Sequence, residues 1–239
     1  MIFNQSEFDL RCEWGIGGVM QLAPISDVVV IVDVLSFSTC VEIATNRGAI
    51  IFPYRWQDDT AIAYAQSVNA TLASRRRTPS AGYSLSPSSL DRIPAGTRLV
   101  LPSPNGATLS LQTGNTLTVS GCLRNCQAIA EFAQSCGTQI AVIPAGERWE
   151  DGSLRPSLED AIGAGAILSY LQGKPSPEAK AAMVTFQMFR TDIASALSQC
   201  SSGKELISRG FSGDLELATA LNVSECIPIC RDRAYIRHI

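Results

Sequence analysis

The run Val28-Val29-Val30-Ile31-Val32, five apolar β-branched residues closed by Asp33, constrains this chain more than any other segment. With no polar alternation, it reads as a strand covered on both faces, and therefore as part of a largely parallel sheet. A carboxylate at the carboxyl end of such a strand cannot be a packing residue unless its charge is compensated. In open α/β sheets that end of the strands is where ligands bind. Ser36, Ser38 and Thr39 follow before a helical pattern begins. The layout recurs in LVLPSPNG (99–106), LTVSGCLRN (117–125) and IAVIPAG (140–146), so four small polar loops are expected to converge on one site.

Strands are expected over 28–32, 49–53, 71–74, 98–102, 116–120, 139–143 and 225–230. Helices are expected over about 38–47, 58–68, 105–111, 124–135 and 158–172, and the chain from 177 to about 221 reads as mainly helical. This alternation predicts βαβ units and an α/β fold, a three-layer α/β/α sandwich around a largely parallel or mixed sheet. Residues 1–239 are read as one domain, with a more helical subdomain from about 175. The segments 75–96 and 144–157 are long loops of the kind that often carry function. WGIGG (14–18) follows no buried strand and lacks the spacing of a dinucleotide loop, so it reads as a turn, and a nicotinamide-dependent oxidoreductase finds little support.

A net charge of −3 argues against nucleic acid as a partner, which needs a concentrated basic face. No apolar run approaches the roughly 20 residues of a membrane span. MIFNQSEFDLRCEWG has neither the basic nor the apolar region of a signal peptide, and a cytoplasmic location is expected. The eight cysteines include no CxxC pair and are read mostly as small buried hydrophobes. The one histidine, His238, lies at the end of the chain, which disfavours Ser-His-Asp chemistry and histidine-rich zinc sites.

Asp33 has two readings, a metal-binding or nucleophilic carboxylate or a turn and helix-cap residue. The second aspartate that a haloacid-dehalogenase-type phosphatase requires two positions on is here Leu35. In SLEDAIGAGAIL (157–168), Ser157 and Asp160 have capping-box spacing, and Glu159 suits the first turn of a helix. Gly163 and Gly165, costly inside a helix, point to close packing against the sheet. Asp33 with Glu159 or Asp160 would then suit Mg²⁺, which is held by one or two carboxylates plus phosphate oxygens. SPNGAT (103–108) and SGCLRN (120–125) are either ordinary strand–turn–helix joints or anion sites, with N–H groups at Asn105 and Gly106 and the fork of Arg124. Arg75, Arg76 and Arg77 are either a solvated loop or a cover for an anionic ligand.

With EWG (13–15), VVIVDVLSFST (29–39), the two joints, PAGERWEDGSLRPSLEDAIGAGAI (144–167) and GFSGDLELA (210–218) in view, the chain resembles the 2-phosphosulfolactate phosphatase family, the ComB-like proteins. The resemblance implies a cytoplasmic, Mg²⁺-dependent α/β/α hydrolase that removes phosphate from 2-phospho-3-sulfolactate on the route to coenzyme M. The expected catalytic residues are Asp33, Asn105 and Arg124, and the expected metal ligands Asp33, Glu159 and Asp160. Ser38, Thr39, Asn105, Gly106, Arg124, Asn125 and Arg148 form the expected substrate-binding set. The partner is a small anionic phosphoester, not nucleic acid or membrane, and a homo-oligomer is left open. Two departures fall where an anion would be gripped: Ser36 stands where members commonly carry arginine, and SRRRTP (74–79) replaces a Gly-Glu-Arg-Gly loop. The alternative is a non-catalytic anion-binding or regulatory protein that kept the fold.

Overall fold

The computed structural model describes residues 2–56, 58–74, 77 and 82–239. In chain order the elements are β1 (Leu10–Cys12), α1 (Gly15–Leu22), β2 (Val28–Val32), α2 (Phe37–Asn46), β3 (Ile50–Tyr54), α3 (Asp59–Ser67), β4 (Thr71–Leu72) and α4 (Pro87–Leu90). Then come β5 (Arg98–Pro102), α5 (Gly106–Ser110), β6 (Leu117–Gly121), α6 (Cys126–Cys136), β7 (Ile140–Pro144), β8 (Glu147–Arg148), β9 (Leu154–Arg155) and α7 (Leu158–Leu168). The chain closes with α8 (Pro177–Phe189), α9 (Ile193–Gln199), α10 (Ser201–Ser208), α11 (Ser212–Thr219), β10 (Pro228–Arg231) and β11 (Ala234–Arg237).

Among the described residues nine strands form one mixed sheet in the order β1-β7-β2-β6-β10-β11-β3-β5-β4. The first four are mutually parallel, as are the last three, and the antiparallel hairpin β10–β11 joins the two blocks. β2 lies inside its block, with Val30 opposite both Val119 and Val142, which explains its unbroken apolar run. Val28, Val30 and Val32 pack under α6, α7 and α8, through residues such as Ile129, Ile162 and Ala179. Val29 and Ile31 face the other way, against Val19 and Leu22 of α1 and Leu109 of α5. Alternate residues of one strand thus serve two helical layers, and the architecture is the expected α/β/α sandwich.

Following the pairings, the β3/β5/β4 block runs opposite to the β2 block. At about 20–25° per pairing, the pairings from β2 to β5 turn the strand direction by roughly a right angle or more. The sheet therefore coils enough for α5 to pack against both β2 and β3. The carboxyl ends of β2 and β5 meet despite their nominal polarity, and their meeting makes the site.

Three expectations need correction. WGIGG is not a turn but opens α1: Gly15 takes a positive φ of 57°, and a Cβ on Gly18 would lie 2.6 Å from the Glu13 carbonyl oxygen. The end of the chain holds two strands, not one, linked through Asp232 and Arg233 at φ 49° and 62°, the geometry of a tight hairpin turn. The segment 144–157 is not all loop, since Glu147–Arg148 pairs with Leu154–Arg155. Gly163 does lie against β2, where a Cβ would meet the side chains of Val34 at 2.6 Å and Val32 at 2.9 Å. Gly165 instead admits the backbone of α8 at Ala182. All eight cysteines are free thiols, five of them buried. Among the described residues no helix is long and apolar enough to cross a membrane.

Candidate active site

The turn after β2 is built from its own hydroxyls. Ser38 Oγ donates to the Ile31 carbonyl and accepts from the Asp33 N–H, while Thr39 Oγ1 donates to the Val34 carbonyl. Both side chains are fully buried and spent on the backbone, so the structure does not place them as substrate contacts. What they fix is the carboxylate of Asp33. Its Oδ1 accepts the N–H of Phe37 at 3.2 Å; its Oδ2 accepts the N–H of Gly106 at 2.7 Å and Ser103 Oγ at 3.4 Å. Phe37 and Gly106 are the first residues of α2 and α5, so Asp33 ties two helix starts together at the carboxyl ends of β2 and β5.

Gly106 allows that closeness. A Cβ there would sit 2.5 Å from the Phe37 ring and 2.7 Å from Asp33 Oδ2. Gly106→Ala is therefore expected to destabilise the fold by about 1–3 kcal/mol and to push Asp33 out of place. Chemical denaturation checks the first effect and phosphate-release assays the second. The same geometry corrects one expectation: the Gly106 N–H serves Asp33, and the Asn105 N–H points to Ser103 Oγ at 3.3 Å. Neither backbone group is left for phosphate.

Three further carboxylates surround Asp33. Asp160 is clamped by the N–H groups of Val34 (2.7 Å) and Gly146 (2.9 Å) and by Ser157 Oγ (2.9 Å). The serine thus bonds the aspartate side chain rather than capping the helix backbone, and Asp160 pins the β2 and β7 loops onto α7. Glu159, beside it and buried, accepts among the described residues only from Cys200 Sγ at 3.4 Å, through Oε2. Glu147, on the β8–β9 hairpin, accepts from Asn105 Nδ2 at 2.9 Å, also through Oε2.

These groups repel one another's charge. Burial, above all, pushes the carboxyls of Asp33 and Asp160 upward; the field of Glu159 adds to both and that of Asp33 to Asp160, while the backbone donors oppose the shift. Glu147 is pushed up to about 7 by burial, then by Asp33 and Glu159, against the pull of Asn105 and Arg155. Arg155, half-buried, is the cation that acts on Glu147; it donates to Ser202 Oγ at 3.3 Å and lies 5.7 Å from the Trp149 ring.

Other expected residues lie elsewhere. Arg124 is turned to Glu42 on α2 as a buried ion pair, and its Nη1 donates to the Leu217 carbonyl at 3.0 Å. Its guanidinium is committed to the fold, not offered to phosphate. Removing it would strand Glu42, which is fully buried and already has one oxygen without a hydrogen bond among the described residues. Arg124→Ala is expected to cost about 3–5 kcal/mol of stability, read by denaturant unfolding; a stable variant with weakened substrate binding would restore Arg124 to the site. Asn125 is likewise structural, accepting from the Cys122 N–H and donating to the Cys226 carbonyl, both at 2.9 Å. Arg148 is exposed and donates to the Gly152 carbonyl. Arg75 and Arg76 lie outside the described residues.

The structure thus brings together Asp33, Asn105, Gly106, Glu159 and Asp160 from the sequence reading. It adds Glu147, Ser103, Arg155 and Cys200, which no local pattern marked. The donor set is all oxygen and strongly anionic, which suits a hard divalent cation. Among the described residues no three His, Cys, Asp or Glu side chains are grouped as a ready metal cage. Asp33 Oδ1, which accepts one N–H, keeps a second accepting position, and Glu159 Oε1 has no hydrogen bond among the described residues; completed by water and phosphate, two such carboxylates would suit Mg²⁺ better than a metal needing a full protein shell.

Buried carboxylates gathered at the strand ends of a coiled α/β/α sheet make this the candidate site. A family model described as 2-phosphosulpholactate phosphatase matches residues 19–233. A 2-phosphosulfolactate phosphatase of Methanothermobacter thermautotrophicus is 25% identical over 207 residues, covering 87% of this chain and 88% of the relative. A probable 2-phosphosulfolactate phosphatase of Synechococcus sp. (strain JA-2-3B'a(2-13)) is 30% identical over 207 residues, covering 81% and 84%. One from Thermosynechococcus vestitus, with the same printed name, is 26% identical over 220 residues, covering 84% and 88%. The chain belongs to the 2-phosphosulpholactate phosphatase family, and with it to the phosphoric monoester hydrolases.

Proposed function

We propose that this protein hydrolyses the phosphate ester of 2-phospho-3-sulfolactate, or of a closely related small organic acid, with Mg²⁺ bound at Asp33 and Glu159. The observation that carries the reading is the gathering of Asp33, Glu147, Glu159 and Asp160 at the strand ends. The ionised members of such a cluster would repel a multiply charged phosphoester unless a cation lay between them. Bound Mg²⁺ would neutralise that charge and polarise the phosphoryl oxygens. Asp33 is held for this by two backbone donors, and Glu159 keeps Oε1 without a hydrogen bond among the described residues. Asp160 fixes the loops on which both sit.

A water attacks phosphorus in line as the ester P–O bond breaks, giving phosphate, and the chain's own residues supply the proton to the leaving oxygen. An alkoxide is a poor leaving group and needs protonation as its bond to phosphorus breaks. Glu147, pushed up to about 7 in the metal-free protein chiefly by burial, is the carboxyl suited to give that proton, and Asn105 orients it. Arg155 is a cation whose charge acts on that carboxyl, and its fork suits an equatorial phosphoryl oxygen. The test is phosphate release from 2-phospho-3-sulfolactate before and after chelation. Turnover that disappears with a chelator and returns with Mg²⁺ is expected; no turnover on this or any small phosphoester overturns the reading.

The non-catalytic alternative draws on one observation, that Asp33 caps two helix starts and so has a structural reason to be present. The Asp33→Asn variant separates the two readings.

A further inference from the structure

The helices beyond α7 supply none of the four carboxylates, yet the joint between α9 and α10 reaches the site at two points. Cys200, which ends α9 and caps α10, places its Sγ 3.4 Å from Glu159 Oε2. Two residues on, Ser202 Oγ accepts from Arg155 Nη2 at 3.3 Å. One short stretch of chain thus touches both the carboxylate assigned to the cation and the arginine assigned to the phosphoryl group. Both contacts are sheltered from water, with Glu159 2% exposed and Ser202 8%.

The joint owes its place to packing rather than to those contacts. Leu197 of α9 and Leu206 of α10 are buried in the same core cluster as Ile162 and Leu168 of α7. The chain folds back so closely at Gly203 that a Cβ there would overlap the Leu197 carbonyl oxygen. The Gly203 N–H donates to Cys200 Sγ at 3.4 Å, which fixes the sulfur as the cap of α10. The thiol proton has two acceptors in reach, the Leu197 carbonyl at 3.1 Å and Glu159 Oε2. A thiol is protonated at neutral pH, and an ionised carboxylate accepts more strongly than a carbonyl. When Glu159 is ionised it therefore takes the proton through Oε2, and its Oε1 keeps one direction in which to meet a cation.

We propose that Cys200 and Ser202 are positioning residues: Cys200 fixes Glu159 for Mg²⁺, and Ser202 fixes Arg155 for the phosphoryl group. The roles of Glu159 and Arg155 rest on the phosphatase reading; the two hydrogen bonds stand without it. Groups that hydrogen-bond a ligating carboxylate orient it, and losing one typically costs about 10–100-fold in metal affinity or activity. The helical segment after α7 thereby completes the site from behind, without a side chain of its own on the metal.

Calorimetric titration of the full-length protein with Mg²⁺, beside its steady-state kinetics, tests this. Cys200→Ala is expected to weaken Mg²⁺ binding about tenfold or more. Cys200→Ser, whose hydroxyl can still donate to Glu159 and cap α10, should restore most of it. Ser202→Ala should bind Mg²⁺ like the wild type and raise KM several-fold with kcat little changed, the pattern of lost ground-state binding. A residue that only capped a helix would lower the unfolding midpoint and move neither constant. In the Mg²⁺-free protein, the effects of Cys200→Ala and Glu159→Ala on unfolding should be non-additive. Wild-type Mg²⁺ affinity in Cys200→Ala, additive unfolding effects, or the same loss of Mg²⁺ from Ser202→Ala would overturn the proposal. Turnover by a wild type whose Mg²⁺ binding ignores Cys200 would leave the phosphatase standing without this device. Non-additive unfolding in a protein that neither binds Mg²⁺ nor turns over a phosphoester would do the reverse, keeping Cys200 as the residue that holds Glu159 and sinking the phosphatase reading.

Discussion

Replacing Asp33 by asparagine is expected to lower kcat on the order of a thousandfold, a loss of about 4 kcal/mol in transition-state stabilisation. A neutral amide is a poor ligand for a hard cation, so the gain in Tm on adding Mg²⁺ should vanish as well. The structural cost is separate and smaller. The two carboxylate oxygens accept from different backbone donors, Phe37 and Gly106. Asparagine has one acceptor oxygen and must turn its NH₂ toward the other N–H, costing about 1–3 kcal/mol. Against this, removing one charge relieves a carboxyl already pushed up by burial and by Glu159. Because the two effects oppose, the net stability change should stay within about 2 kcal/mol. A thousandfold loss of activity in a variant that unfolds nearly like the wild type would assign Asp33 to the chemistry. An active, Mg²⁺-responsive variant would leave it as a helix cap alone.

The contrast between Asp33 and Arg124 shows what a sequence of this kind can disclose. Asp33 is legible because its context is local: five apolar residues define the strand, and the polar residue that ends it must stand at the strand's carboxyl end. Glu159 and Asp160 are legible for a similar reason, at the start of a helix whose Gly163 lets β2 come close. Arg124 follows a strand in the same manner, yet its partner, Glu42, lies far along the chain, and no local pattern reveals that the charge is already paired. Ser38 and Thr39 sit in the right loop but face its backbone. Side-chain direction within a turn is set by tertiary hydrogen bonding, not by spacing.

The fold divides in the same way. Strands that bury both faces are announced by composition, as with β2 and β7. Short elements that depend on a neighbour for half their hydrogen bonds are not. Ala234–Arg237 is four residues long and exists because β10 on one side and β3 on the other complete it. Its turn places Arg233 at positive φ, where sequence rules look for glycine or asparagine. α1 was hidden by glycines that weaken a helix in isolation, although Gly18 is there to let the Glu13 carbonyl approach.

Glu147 was the residue least accessible to sequence reading, because its peculiarity comes from folding the β8–β9 hairpin over three other carboxylates. Its acidity gives two linked expectations for Glu147→Gln. If Glu147 protonates the leaving oxygen, kcat should fall about 10²–10⁴-fold. Wild-type activity should also decline as pH rises, with the variant low and flat; Mg²⁺ at Asp33 and Glu159 would offset their field and set that decline below the metal-free value of about 7. Stability should move in the opposite sense. An acid held up in the folded state carries no penalty below its unfolded value of 4.5, and the penalty grows as pH climbs to about 7 and is complete above it. In the Mg²⁺-free protein the glutamine variant should therefore unfold like the wild type near pH 4.5. Near pH 8 it should be more stable, by on the order of 3 kcal/mol at most. Thermal unfolding at the two pH values reads one arm and the pH–rate profile the other. A variant that gains stability at high pH but keeps wild-type activity would show that Glu147 is a buried carboxylate tolerated by the fold, and would pass the proton-donor role to another group of the cluster.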